Sequence, residues 1–182
     1  MKNYINKFLI LLLMVFIYPI KSFGLIEVDI TRGNLNPLPV AVSPLSIDEK
    51  SRKSFENLIN KKNIGEEISS IVENNLKTSG LFNPLSKDAF LQAPDIANLK
   101  PRFEDWNLIK AQALITGKVT NIDNKLRVEF RLWDVLAGKE MMALAFTTVP
   151  TNWRRVGHII SDKVYERLTG EKGYFDTRII YV

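Results

Sequence analysis

The stretch Ala111–Val149, AQALITGKVTNIDNKLRVEFRLWDVLAGKEMMALAFTTV, constrains the fold more than any other part of the chain. Leu126, Val128, Phe130 and Leu132 alternate with Arg127, Glu129 and Arg131. A period of two puts four apolar side chains on one face and the charges on the other, whereas a helix would scatter both sets. Asp123-Asn124 before this run and Ala137-Gly138 after it are pairs that tolerate positive φ, so the stretch predicts three consecutive antiparallel strands joined by two tight turns. Ile115 and Val119 in the first strand, and Met142, Leu144 and Phe146 in the third, extend the apolar face. A sheet wet on one side and apolar on the other has to be covered, and the flanking segments supply two amphipathic helices.

The first covering helix starts at Ile64. Ile68, Ile71, Val72 and Leu76 recur at three and four residues, Glu66 and Glu67 occupy the first turn, where the helix dipole favours acids, and Gly80 stops it. Val40-Ala41-Val42 before it and Leu81–Leu85 after it complete a strand, helix, strand unit. The polar, Lys-rich run between them, Ser46–Asn63, reads as a surface loop or a short helix around Phe55, Leu58 and Ile59. Residues 86–102 are turn-rich, and Phe103–Lys110 reads as a short helix. The second covering helix is capped by Pro150-Thr151-Asn152, carries the stripe Trp153, Val156, Ile160, Val164 and Leu168, and closes at Gly170. The fold class is thus α/β: a two-layer domain over 37–170, with two main helices packed on one mixed, largely antiparallel five-stranded sheet.

Outside that body the two ends differ in kind. MKNYINKFLILLLMVFIYPIKSFG has Lys2 and Lys7 ahead of a 13-residue apolar run, Phe8–Ile20, and then Ser22 and Gly24 spaced as at a cleavage site. This predicts a secretory signal peptide over 1–24, cut between Gly24 and Leu25, because a spanning helix needs roughly 20 apolar residues. The mature protein then has no direct membrane anchor. Residues 25–36 form an extended segment in which Ile26, Val28 and Ile30 line one face and Leu25, Glu27, Asp29 and Thr31 the other; Arg32-Gly33-Asn34, Pro37 and Pro39 separate it from the body. Such a strand pairs within its own domain or with another protein's sheet edge. The tail, 171–182, reads as a linker that ends in Thr177–Val182, a β-forming run whose partners lie outside this chain.

Charge and residue types exclude most chemistry. The leader holds three Lys and no acid, so its removal takes the formal charge from +5 to +2 and dissolves the nucleic-acid reading that a pI near 9.4 suggests. The basic clusters Lys50/Arg52/Lys53 with Lys61/Lys62, and Arg154/Arg155, are not interleaved in sequence with aromatics for base stacking. His158, the only histidine, could share a helix face with Asp162, but one His and no Cys do not make a zinc site. The acidic pairs Asp48-Glu49, Glu66-Glu67 and Glu104-Asp105 suit solvation or helix N-termini. Trp106, Trp133 and Trp153 read as core. Nucleophile, phosphate-binding and dinucleotide motifs are missing, so no enzyme and no cofactor are expected.

The combination of SGLFNPLS, RLWDVLAGKE, NWRRVGHIISDKVYERLTG and GYFDTRIIYV resembles the N-terminal domain of the TolB family, periplasmic components of the Tol-Pal system. The resemblance covers the whole chain and implies the same two-layer unit. It further implies contact with TolA through Leu25, Ile26, Glu27, Val28, Asp29, Ile30, Thr31, Arg32 and Gly33, and a role in outer-membrane integrity and envelope constriction during division. Family members continue into a β-propeller that binds the lipoprotein Pal, and Thr177–Val182 match its first strand. Pal binding rests on residues this sequence does not contain. A stand-alone periplasmic scaffold or solute-binding domain without Tol partners is the rival reading.

Overall fold

The alternation in the sequence becomes the central ladder of the molecule. The computed structural model describes residues 36–177. Within them β4 (Ala113–Ile122), β5 (Lys125–Asp134) and β6 (Lys139–Thr148) form an antiparallel meander. In β5, Leu126, Val128, Phe130 and Leu132 are buried while Arg127, Glu129 and Arg131 are half exposed. The first turn places Asp123 (φ 49°) and Asn124 (φ 58°) in the left-handed region, the two-residue hairpin whose twist matches its strands. The second turn departs from the expected pair. Only Gly138 (φ 62°) is left-handed, and Ala137 instead donates its N–H to Asp134 Oδ1 at 2.8 Å, so a longer connection over 135–138 is held by an aspartate side chain.

Two parallel strands extend the meander. β1 (Leu38–Val42) lies between β4 and β3 (Phe82–Pro84), which gives the order β3-β1-β4-β5-β6. These are the five expected strands. A two-residue sixth, β2 (Ser46–Ile47), pairs parallel with β4 beyond the end of β1.

The Lys-rich run resolves as an 11-residue helix, α1 (Glu49–Ile59). Asp48 caps it, Oδ1 accepting from Ser51 N–H and Oδ2 from Ser51 Oγ, both at 2.9 Å, and Asn60 (φ 54°) closes it. Its lysines face solvent, and the fully buried Phe55 anchors it to the core. Asn121 of β4 ties it down further, donating its N–H to Ser51 Oγ and its Nδ2 to Ser54 Oγ.

The two main helices, α2 (Ile64–Thr78) and α5 (Trp153–Thr169), lay their stripes on the front of the sheet. They touch through small residues. A Cβ on Gly157 would come within 2.9 Å of Ile71 Cγ2, so the backbones approach closely at that point. Asn75 spans the same seam, donating Nδ2 to Ser161 Oγ at 2.9 Å. The segment expected to cap α5 is a 3₁₀ turn, Pro150–Asn152, and Asn152 bonds Thr148 Oγ1 rather than the helix N-terminus. Gly170 (φ 76°) ends the helix as expected.

The back of the sheet is wet only in part. Ala41 and Leu114 point away from the front core and lie under a second cluster with Trp106, Ala111 and Val135. The segment that covers them includes one 3₁₀ turn (Lys87–Ala89) and two short helices, α3 (Pro94–Leu99) and α4 (Phe103–Leu108). Gln92, 5% exposed, organises it: Oε1 accepts Trp106 Nε1–H at 2.7 Å and Arg102 N–H at 3.1 Å. Phe90 packs edge-on against Trp106, and Phe103 against Trp133.

Candidate interaction surfaces

The segment singled out for partner binding, Leu25–Gly33, and the cleavage point Gly24–Leu25 lie outside the described residues, as do residues 178–182 of the terminal β-forming run. The structure does give the place where the N-terminal segment joins the domain. Asn36 and Pro37 are exposed, and Leu38 donates its N–H to Leu81 O at 2.9 Å as β1 begins. β1 sits inside the sheet, so the segment is rooted in a strand paired on both sides. Its root lies at the end of the sheet where Pro39, Gln112 and Val135 are linked in a row by backbone hydrogen bonds.

The residues considered for chemistry are committed elsewhere. His158 Nδ1 is 2.9 Å from Asn75 Nδ2 and takes its hydrogen, a contact across the α2–α5 seam. Asp162 faces a different partner, accepting the N–H groups of Phe175 at 2.7 Å and Asp176 at 3.1 Å. Among the described residues no group of three His, Cys, Asp or Glu could hold a metal ion. The acidic pairs sit in first turns: Asp48 caps α1, Glu66 and Glu67 open α2, and Glu104 and Asp105 open α4. The Ser51 N–H on the Asp48 carboxylate holds it below the usual carboxylate range.

The basic clusters look different in space than in sequence. Lys61 Nζ lies 5.2 Å and Arg154 Cζ 4.5 Å from the centre of the Trp153 ring, so the two clusters meet at one aromatic. That ring is 7% exposed, which leaves no face for a base to stack on. Glu67 pairs with Lys61 at 2.8 Å, Glu49 with Arg52 at 3.5 Å and Asp176 with Arg155 at 3.1 Å, which neutralises much of the remaining charge. Trp106 and Trp133 both donate their indole N–H inside the fold, to Gln92 and to Thr116.

The two sheet edges contrast. β3 is three residues long and ends in Pro84, which has no N–H to offer, so that edge is blunt. β6 is ten residues long, and among the described residues nothing pairs with its outer side. Met142 and Phe146 are half covered and Leu144 is 37% exposed, although all three face the core side as expected. A register shift opposite Leu132/Trp133 and the charged Lys139 and Glu140 mark one end of the strand. Beside it a groove lined by Phe146, Thr147, Asn152, Arg155, Val156 and Ile159 separates β6 from α5.

Three similarities bear on these surfaces. The sequence profile of the TolB amino-terminal domain family matches residues 26–141. The Tol-Pal system protein TolB of Pelagibacter ubique (strain HTCC1062) is 79% identical over 172 residues, which is 94% of this chain and 39% of that relative. The chain therefore spans about two-fifths of the length of the curated relative it matches. The crystal structure of TolB from Acinetobacter baumannii superposes with a TM-score of 0.62 at 22% identity, over 84% of this chain and 33% of the other, a likeness of fold.

Proposed function

The chain belongs to the TolB amino-terminal domain family, and from that premise we propose that it is a periplasmic protein–protein interaction module of the Tol-Pal system, contacting TolA through Leu25–Gly33. The observation that carries this reading is the 79% identity to a Tol-Pal system protein across nearly the whole chain. The proposed mode is strand donation. Ile26, Val28 and Ile30 fill apolar pockets along a sheet edge of TolA, and backbone hydrogen bonds set the register. The exposed root at Asn36 and Pro37 supports it, since the described part of the chain begins at the surface. Among the described residues no helix is long and apolar enough to cross a membrane; export with removal of the leader over 1–24 rests on the sequence pattern there. The cellular output of the contact is support of outer-membrane integrity and of envelope constriction at division.

The test replaces Ile26, Val28 and Ile30 together by Ser and measures TolA binding by calorimetry beside thermal unfolding. Strand donation predicts that binding is lost while stability hardly changes, because the segment is ordered only on binding. If the segment instead pairs inside its own domain, stability falls by about 1.5–3 kcal/mol for each buried aliphatic side chain. Undiminished TolA binding by the triple variant rules the donation out, and failure of the unsubstituted chain to bind TolA favours a stand-alone scaffold. Mass spectrometry of the exported protein is expected to find Leu25 as its first residue.

A further inference from the structure

We propose that residues 173–176 are a strap, anchored on Asp162, that holds the exit point of the chain, at Thr177, in a fixed place on the domain. The tail of the domain reads in sequence as linker, and a free linker is what composition alone suggests. In the structure the chain reverses after Gly170 and runs back along α5. The Asp162 carboxylate accepts both Phe175 N–H and Asp176 N–H, two charge-assisted bonds to successive backbone amides. Nearer the start of the helix, Arg155 closes on the Asp176 carboxylate, with Nε 3.1 Å from each oxygen. Tyr165 receives Tyr174 and Phe175 edge-on, with ring centres at 5.6 and 5.9 Å. Gly173 lies so close to the helix that a Cβ on it would come within 2.6 Å of Asp162 Cβ.

These contacts are of unequal weight. The Arg155–Asp176 pair is largely exposed and holds little by itself. Asp162 is the anchor because removing its carboxylate strands two amides at once. Without the strap, the seven residues from Glu171 to Thr177 are long enough to wander by about 15 Å, on the scaling of a flexible chain. With it, Thr177 is held one residue beyond Asp176, beside Arg155 and the groove between α5 and β6. The inference is independent of TolA: it concerns the opposite end of the chain and its test has a different readout.

The sequence contains no cysteine, so Lys53→Cys and Thr177→Cys, both at exposed positions, carry two spin labels on the full chain. Double electron–electron resonance then reads the distance between the body and the exit point. The strap predicts one narrow distance distribution, broadened roughly two-fold or more by Asp162→Ala. Gly173→Ala, which displaces the strap while leaving the helix side chains in place, is expected to broaden it too and serves if Asp162→Ala does not fold. A broad distribution in the unsubstituted protein overturns the proposal, as does a narrow one that survives both substitutions.

Discussion

The front of the sheet is covered by two long helices whose apolar stripes repeat every three to four residues, and their side chains merge with those of all five long-path strands into one core. The back is covered by an irregular segment gathered around one tryptophan and one glutamine, with only Ala41, Ala111, Leu114 and Val135 buried beside Trp106. The front bridges its seam with the side-chain bond from Asn75 to Ser161, whereas the back is tied by Gln92 Oε1, which accepts from both Trp106 and Arg102. The difference teaches that the two faces have separate jobs. The front holds the domain together, and the back closes the sheet at the end where the N-terminal segment is rooted.

Four substitutions sharpen or break that comparison. The largest effect is expected from Phe130→Ala at the middle of β5, where the ring stacks on Phe146 at 6.1 Å: about 3–5 kcal/mol of stability is lost, read as a fall of the whole urea transition. Next comes Trp106→Phe, which removes the N–H that Gln92 Oε1 accepts together with part of the buried ring; about 1–3 kcal/mol is expected. Its signature is faster proteolysis within 86–102 while the helical circular dichroism from α2 and α5 melts where it did before. Should both signals shift together, the faces form one cooperative unit and the contrast fails.

Asp48→Ala removes the α1 cap at the fringe of the front and is expected to cost about 1 kcal/mol. Its pH dependence has a definite sign. The native carboxylate titrates below its unfolded value, so its contribution is intact above the ordinary carboxylate range and is lost as the pH falls through the lowered value. The gap between the urea midpoints of the parent and variant should therefore be full at about pH 6 and shrink as the pH falls below the ordinary carboxylate range; a gap that does not shrink in acid means the cap acts through something other than charge. The smallest effect belongs to Arg131→Ala on the wet half of the back, where a half-exposed pair with Glu140 at 3.2 Å, beside a long bond from Nη1 to Asn98 O at 3.4 Å, is worth about 0–1 kcal/mol. A thermal shift larger than that of Asp48→Ala would show that the wet half carries structural weight.

The front was legible because its signals are local. Period two in β5, period 3.6 in α2 and α5, and Asp-Asn and Gly turns each lie within a few residues of one another. α1 was half hidden, since a run of lysines masks a helix held by a single Phe55, although Asp48 three residues before Ser51 is a cap signal that reads as such. The back cluster was not legible. Ala41, Trp106 and Val135 come from three distant parts of the chain and share no period, so nothing local announces that they meet. The meeting of Lys61 and Arg154 at Trp153 was hidden for the same reason. The strap escaped because its anchor, Asp162, looks in sequence like a solvated helix carboxylate; the close run Gly173-Tyr174-Phe175 after the helix stop was the one available clue. For the proposed partner strand, alternation and family resemblance remain its support.

The strand order carries a consequence for how the protein comes into being. β4, β5 and β6 are neighbours in sequence, so their two hairpins close short loops and can form early. β1 is made before them, yet it lies between β3 and β4, and Val40 has to wait for Ala113 before its second side is paired. The sheet therefore cannot assemble in the order of synthesis. A chain emerging N-terminus first keeps its inner strand half unpaired until the first hairpin strand has followed it, and pairing that second side closes the long loop between Val42 and Ala113.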